Sequence, residues 1–186
     1  MRKIVIIGVL HAGLTPESEL EEVLEKYGPD QLLIEIVEKD IIERKLDSYP
    51  PEMVFAYTWA KKKKVKVSGF DSKTRILKAG MTEEDNQKVV DDQKMLMKNY
   101  SWRDMNQMEY LRKLNTHSAR NLIDPKKEEK RELEMVRNIN TLMIKEGKIL
   151  VITGCGHLIF FEKHIPSALF PFRHLNEKIT VRFSLL

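Results

Sequence analysis

The sequence contains a single cysteine, Cys155, among 186 residues. An internal disulfide needs two cysteines and a thiolate zinc cluster needs several, so both are excluded. No apolar stretch approaches the roughly 20 residues that span a bilayer. The N-terminal segment "MRKIVIIGVL" is too short for a signal peptide and has no small-residue cleavage site. We therefore expect a cytoplasmic protein without a membrane segment.

Positive charge is only mildly in excess, with a net charge of +4 on a chain that carries 28 acidic residues. The basic runs "KKKK" at 61–64 and "KKEEKR" at 126–131 are typical of solvated surface, and aromatic residues do not interleave with them. Nucleic acid is therefore not an expected partner. The oligomeric state stays open, and a homo-oligomer is compatible with the sequence.

Short apolar segments alternate with helical patterns along the first third of the chain. Continuous Ile and Val residues over 3–9 predict a strand that is buried on both faces, and "QLLIEI" at 31–36 predicts a second strand. Thr15 as N-cap and Pro16 as first helical residue predict a helix between them. A strand, a helix and a strand in this order form a βαβ unit, whose two strands run parallel.

The same alternation continues and predicts one α/β domain over residues 1–186, with a mostly parallel central sheet and flanking helices. Residues 81–116 differ, because they are polar and rich in methionine. We interpret them as a helical insertion, with Thr82 and Ser101 as helix N-caps. The remaining predicted strands lie at 65–71, 148–154 and 178–185. The remaining predicted helices lie at about 38–48, 52–63 and 125–146, with a short one at 157–169.

Four polar side chains stand at or just beyond the ends of predicted strands. In an open parallel sheet, the loops that leave the carboxyl ends of the strands build the ligand site. If the strands are parallel, these side chains gather at one edge of the sheet. Glu35 is the most informative of them, since a carboxylate inside an apolar run is costly unless it is paired, protonated or bound to a metal. The four residues are His11, Glu35, Asp71 and His157.

Two of these side chains belong to a repeated local pattern. Gly8 stands three residues before His11 in "GVLH", and Gly154 stands three residues before His157 in "GCGH". Glycine at such a position allows a sharp turn and a close approach to a ligand. Two imidazoles and one or two carboxylates form a credible set for a divalent metal. Glu35 or Asp71 is then either a ligand or the general base that takes the proton of a bound water. The same groups can also act without metal, as histidine–carboxylate acid–base catalysts.

Cys155 lies inside the second of these motifs, so a thiol nucleophile has to be considered. Such a nucleophile would need His157 or His11 as its base. We prefer the simpler interpretation, in which Cys155 is a small side chain in a tight strand-to-loop turn.

The order of these motifs resembles that of the TraB/PrgY/Tiki superfamily, which is similar in turn to erythromycin esterase-like and ChaN-like proteins. The resemblance is carried by "GVLH", by the strand-borne glutamate of "PDQLLIEI", by "VKVSGFD", which ends in an acidic residue, and by "VITGCGHL". "EMVRNINTLM" resembles the family's helix with an Arg-Asn pair, so Arg137 and Asn138 become candidate site residues. The chain departs from the family's Glu-Arg-Asn triplet, because Val136 precedes this pair.

The resemblance implies an α/β fold with a metal-dependent hydrolase site at the carboxyl edge of the sheet. It makes His11, Glu35 and His157 the ligands of a divalent ion (Mn, Co, Zn or Fe), with Arg137 as a partner of Glu35 or of a substrate carboxylate. We expect hydrolysis of an amide or ester bond in a small molecule or peptide. The alternative is a non-catalytic module that binds a small molecule or peptide on the same scaffold.

Overall fold

The structure is a computed structural model, and it describes residues 1–73, 82–107, 110 and 122–173. Within these residues the central sheet has five strands, all parallel, in the order β3-β2-β4-β1-β5. The predicted α/β class with a parallel sheet and flanking helices is therefore confirmed. The strands are β1 (Arg2–Val9), β2 (Gln31–Ile34), β3 (Lys66–Gly69), β4 (Gly147–Gly154) and β5 (Ala168–Leu169).

Six α-helices lie in the described part of the chain, and none of them is long and apolar enough to cross a membrane. Helix α1 packs against α3, and α5 packs against α6. Right-handed crossovers assign these two pairs to opposite faces of the sheet. The helices are α1 (Glu17–Tyr27), α2 (Glu38–Glu43), α3 (Pro51–Lys63), α4 (Glu83–Met97), α5 (Pro125–Leu142) and α6 (Leu158–His164).

Several predicted boundaries differ from the observed ones. Thr15 does not cap α1. Its hydroxyl accepts a hydrogen bond from the backbone N–H of Leu10 and donates one to the Leu10 carbonyl, so that it closes the loop around His11. Helix α5 ends at Leu142, four residues before the predicted end. The predicted strand 178–185 lies outside the described residues.

The predicted helical insertion at 81–116 is described only in part. Thr82 caps α4 as predicted, because its Oγ1 accepts a hydrogen bond from the backbone N–H of Asp85. Ser101 Oγ accepts a hydrogen bond from the backbone N–H of Asp104, but the N-cap of the 3₁₀ turn over Asp104–Asn106 is Arg103, so the predicted N-cap at Ser101 is corrected. Trp102 in this segment is fully buried, so the segment contributes to the core. Residues 108–109 and 111–116 lie outside the described residues.

Asn106 joins this segment to strand β1. Its side-chain oxygen accepts a hydrogen bond from the N–H of Gly8, and its side-chain nitrogen donates one to the Gly8 carbonyl. Strand β5 pairs with β1 only at Ile4 and Val5. Asn106 therefore satisfies the backbone of β1 beyond the end of β5, immediately before the first histidine motif.

Strands β1 and β4 form the centre of the sheet and a topological switch point. They pair in register along eight residues each, with Val9 opposite Gly154. The chain leaves β1 toward α1 and leaves β4 toward α6, which lie on opposite faces. Ligands of open α/β sheets bind in the crevice that such a divergence creates. The two histidine motifs follow these two strands.

The first glycine of each motif makes room for the other motif. A Cβ at Gly8 would lie 2.8 Å from the Cα of Cys155, and a Cβ at Gly154 would lie 2.7 Å from Nε2 of His11. Neither glycine has a positive φ. Neither position therefore needs the left-handed backbone that glycine allows, and close approach between the neighbouring strand ends is the reason for both glycines.

We expect Gly8→Ala to destabilise the protein by about 1–3 kcal/mol, because backbone atoms of the adjacent motif must move to accommodate the methyl group. Gly156→Ala is the matched control, since a Cβ there meets nothing within 4 Å. Urea unfolding of both variants measures the difference. Equal unfolding midpoints for the two variants would contradict the packing described here.

Candidate active site

The four polar residues predicted at strand ends lie together at the carboxyl edge of the sheet. His11 follows β1, Glu35 follows β2, Asp71 follows β3, and His157 follows β4. All four line a cavity of about 640 Å³. The side chains of α5 that face this cavity are charged, and those of α6 are largely apolar, with Ile159 and Phe160 among them.

Glu35 lies at the centre of the site and is almost fully buried. One carboxylate oxygen accepts hydrogen bonds from Thr153 Oγ1 (2.8 Å) and the backbone N–H of Gly154 (2.6 Å). The other accepts one from Arg131 Nη2 (2.8 Å) and lies 3.4 Å from His157 Nε2. Burial alone would raise the pKa of Glu35, but the neighbouring cations, His157 foremost, lower it well below its usual value. Glu35 is therefore ionised.

Arg131 supplies the cation that Glu35 needs, and it also binds Asp71. Its Nε and Nη2 donate to the two carboxylate oxygens of Asp71, at 2.9 Å each. This fork is the bidentate geometry that makes arginine–carboxylate pairs strong. Although burial opposes it, the charges of Glu35 and Asp71 raise the pKa of Arg131. One guanidinium thus joins the ends of β2 and β3 to helix α5.

His157 is buried beside this network. Its Nδ1 lies 2.8 Å from a carboxylate oxygen of Glu132, and its ring stacks on Phe161. Burial by itself lowers the pKa of His157, but the charge of Glu35 and the hydrogen bonds to Glu132 and Glu35 outweigh it and raise the pKa to about 10. His157 is therefore a fixed cation at neutral pH.

His11 is the more accessible histidine, with 36% of its side chain exposed. Its Nδ1 lies 2.8 Å from a carboxylate oxygen of Glu52, which is fully buried at the start of α3. The other Glu52 oxygen accepts a hydrogen bond from the backbone N–H of Gly13. His11 Nε2 lies 4.0 Å from Glu35. Burial lowers the pKa of His11, but the Glu52 hydrogen bond and the charges of Glu35 and Glu52 raise it overall.

The Arg-Asn pair suggested by the family resemblance lies elsewhere. Arg137 is exposed on α5, and it is not among the residues that line the cavity. Asn138 donates a hydrogen bond to the backbone carbonyl of Phe70 and so holds the residue before Asp71. The expected partner of Glu35 is therefore corrected: Arg131, six residues before Arg137, makes that contact.

Arg131, Glu132 and Glu52 are site residues that the sequence interpretation missed. The run "KKEEKR" was expected to be solvated surface, and this is wrong for Arg131, whose side chain is 13% exposed. The buried stripe of α5 at Met135 and Ile139, continued back by one turn, would have predicted that Arg131 and Glu132 face inward. No local signal marks Glu52, because its role depends on how α3 meets the loop after β1.

A divalent ion on His11, Glu35 and His157 fits this arrangement poorly. The Nδ1–carboxylate pairs of both histidines are typical of metal ligands. However, Glu35 already receives donors on both oxygens, and Arg131 Nη1 lies 3.3 Å from His157 Nε2, where an ion would bind. Among the described residues, no group of three His, Cys, Asp or Glu side chains is arranged to hold a metal ion.

Cys155 lines the same cavity with little exposure. Burial raises the pKa of its thiol to about 12. A thiol nucleophile acts as the thiolate, and a pKa this high leaves almost none of it at neutral pH.

No protein-family model matches this sequence, and neither a curated protein nor a solved structure matches it. The resemblance to the TraB/PrgY/Tiki superfamily therefore stays a prediction, and the geometry of the site has to support any functional proposal.

We expect Cys155 to resist alkylation in the folded protein. At about pH 8, where an ordinary thiol with a pKa of roughly 8.5 reacts readily, iodoacetamide should label the protein slowly. Labelling in urea is the control, and it should be fast. Rapid labelling of the folded chain would instead support a nucleophilic thiol.

We expect Glu52→Gln to lower the pKa of His11, because it removes the carboxylate that favours the imidazolium. NMR titration of the His11 ring measures this change, and His164, which contacts Phe160 and not Glu52, is an internal reference. An unchanged His11 pKa would contradict the assignment of the pair.

The same titration has a consequence for stability. Because the folded-state pKa of His11 is raised, the protonated ring adds to the free energy of unfolding. This contribution is fully present below the unfolded pKa of about 6.5, and it is lost as the pH rises through the folded-state pKa. Glu52→Gln should remove this part of the pH dependence of unfolding.

Proposed function

We propose that this protein is a hydrolase of an amide or ester bond, with His11 as the group that activates water. The observation that carries the proposal is the His11–Glu52 pair. Nδ1 of His11 is held by a buried carboxylate, while the accessible ring lines the cavity. A carboxylate that holds Nδ1–H leaves Nε2 as the basic nitrogen, which is the arrangement of histidine general bases.

In the proposed reaction, Nε2 of His11 takes a proton from water as the water oxygen attacks the substrate carbonyl carbon. The C–N or C–O bond then breaks, and the His11 imidazolium returns the proton to the leaving group. Glu35 is not the base, since both of its oxygens are occupied by donors. Asp71 is likewise held by the fork of Arg131.

Positive charge for the carbonyl oxygen comes from two other side chains of the cavity. His157 and Arg131 both line it, and both are cations held in place by carboxylates. Fixed cations in a partly dry site stabilise the negative charge that develops on the oxygen during attack. The apolar side chains of Ile123, Ile159 and Phe160 offer a surface for the non-reacting part of a small molecule or peptide.

The family resemblance supports the same reaction class, because "GVLH", "LLIEI" and "GCGH" contribute the residues that line this cavity. The metal-dependent form of the hydrolase, which that resemblance implies, has weaker support, since Arg131 lies where the ion would bind.

One observation favours the alternative of a non-catalytic binding module. The carboxylates and cations of the cavity form ion pairs with one another, as in a buried polar network that stabilises a fold. A binder would retain ligand affinity in a His11→Ala variant and would show no turnover in the parent protein.

We expect the purified protein to hydrolyse members of a panel of p-nitrophenyl esters and amino-acid p-nitroanilides. His11→Ala should lower kcat by about 10²–10⁴-fold, the usual contribution of a general base. Arg137→Ala is the control on helix α5, and it should keep full activity because Arg137 is exposed. Absence of turnover on the whole panel, or equal rates for His11→Ala and its parent, would count against the hydrolase.

A further inference from the structure

The Arg131 guanidinium fills the space between Glu35, Asp71 and His157. Nη2 contacts Glu35 and Asp71 at 2.8 and 2.9 Å, Nε contacts Asp71 at 2.9 Å, and Nη1 lies 3.3 Å from His157 Nε2. All four side chains are 13% exposed or less. A cation therefore already contacts Glu35 and His157, two of the three predicted metal ligands.

We infer that Arg131 takes the place of the divalent ion, so that this chain keeps its carboxylates ionised with a guanidinium in place of a metal. A metal ion and this guanidinium would compete for the same lone pairs of Glu35 Oε1. The guanidinium also meets Asp71 with a geometry that a point charge does not reproduce. The inference does not depend on the proposed hydrolase.

Helix α5 explains why Arg131 is fixed in this position. Arg131 lies one turn before Met135 on the buried side of the helix, and Glu132 beside it holds His157 from the same turn. The cation is thus carried by a rigid element. Removal of the guanidinium would leave Glu35 and Asp71 without their shared partner and would uncover a pocket of carboxylate and imidazole ligands.

The test begins with the unmodified protein, purified without chelator or added metal. We expect mass spectrometry to find far less than one Mn, Co, Zn or Fe per chain. The Tm should be the same with EDTA and with each of these ions, since only a ligand of the folded state raises stability. Stoichiometric metal, or a Tm lowered by EDTA, would overturn the inference.

The second part of the test creates the metal site that Arg131 blocks. We expect Mn²⁺, Co²⁺ or Zn²⁺ to raise the Tm of Arg131→Met. The same ions should leave the Tm of the double variant Arg131→Met/His157→Ala unchanged. Arg137→Met, on the exposed side of the same helix, is the matched control, and its Tm should not change with these ions. The Tm of Arg131→Lys should also stay unchanged, because lysine keeps the positive charge.

A folded Arg131→Met variant whose Tm is the same with and without each ion would show that the guanidinium does not occupy a metal-ion site. If that variant fails to fold, the measurements on the unmodified protein decide. A metal-free protein without turnover on the ester and anilide panel would remove the proposed hydrolase and leave this inference intact.

Discussion

An ionised carboxylate inside the sheet is the constraint on which the rest of the site depends. Glu35 follows the buried strand β2 and is 6% exposed. An isolated charge at such a depth would be neutralised by proton uptake. Three donors from two other elements prevent this: Thr153 and Gly154 of β4, and Arg131 of α5. The site therefore forms only when β2, β4 and α5 are in place, which links the chemistry of the cavity to the completed fold.

The two histidines have similar partners but different surroundings. Each holds a glutamate through Nδ1, yet His157 is buried against Glu35 and Arg131, while His11 is more than a third exposed. The pKa of His157 rises to about 10, so it is a fixed cation. His11 is the histidine that can reach water. In the proposed reaction, this difference in burial gives His157 the charge-stabilising role and His11 the proton-transfer role.

Parallel pairing of β1 with β4 explains why the two motifs resemble one another. Val9 lies opposite Gly154, so both strands end at the same level and their following loops meet. The pair of glycines then follows from steric necessity: a side chain at Gly154 would displace the His11 ring, and one at Gly8 would displace the backbone of Cys155. Asn106 completes this arrangement from the opposite edge of β1.

Patterns that act over short distances were sufficient to predict most of the fold. Runs of Ile and Val indicated β1 and β4, the glutamate in "LLIEI" indicated a polar group at a strand end, and the alternation with helices indicated parallel strands. Boundaries were less well predicted where a loop contact overrode local preference. Thr15 is an example, because its hydroxyl is used by Leu10 and not by the helix that follows.

Local sequence patterns were enough to bring His11, Glu35, Asp71 and His157 to one edge of the sheet, because strand direction and strand ends are encoded locally. The partners of these side chains depend on packing between distant segments. Glu52 and Arg131 reach them across 41 and 96 residues of chain, respectively. Whether a charged residue faces solvent or a buried carboxylate depends on how its helix packs. The packing of α5 turns Arg131 toward Glu35 and leaves Arg137 exposed.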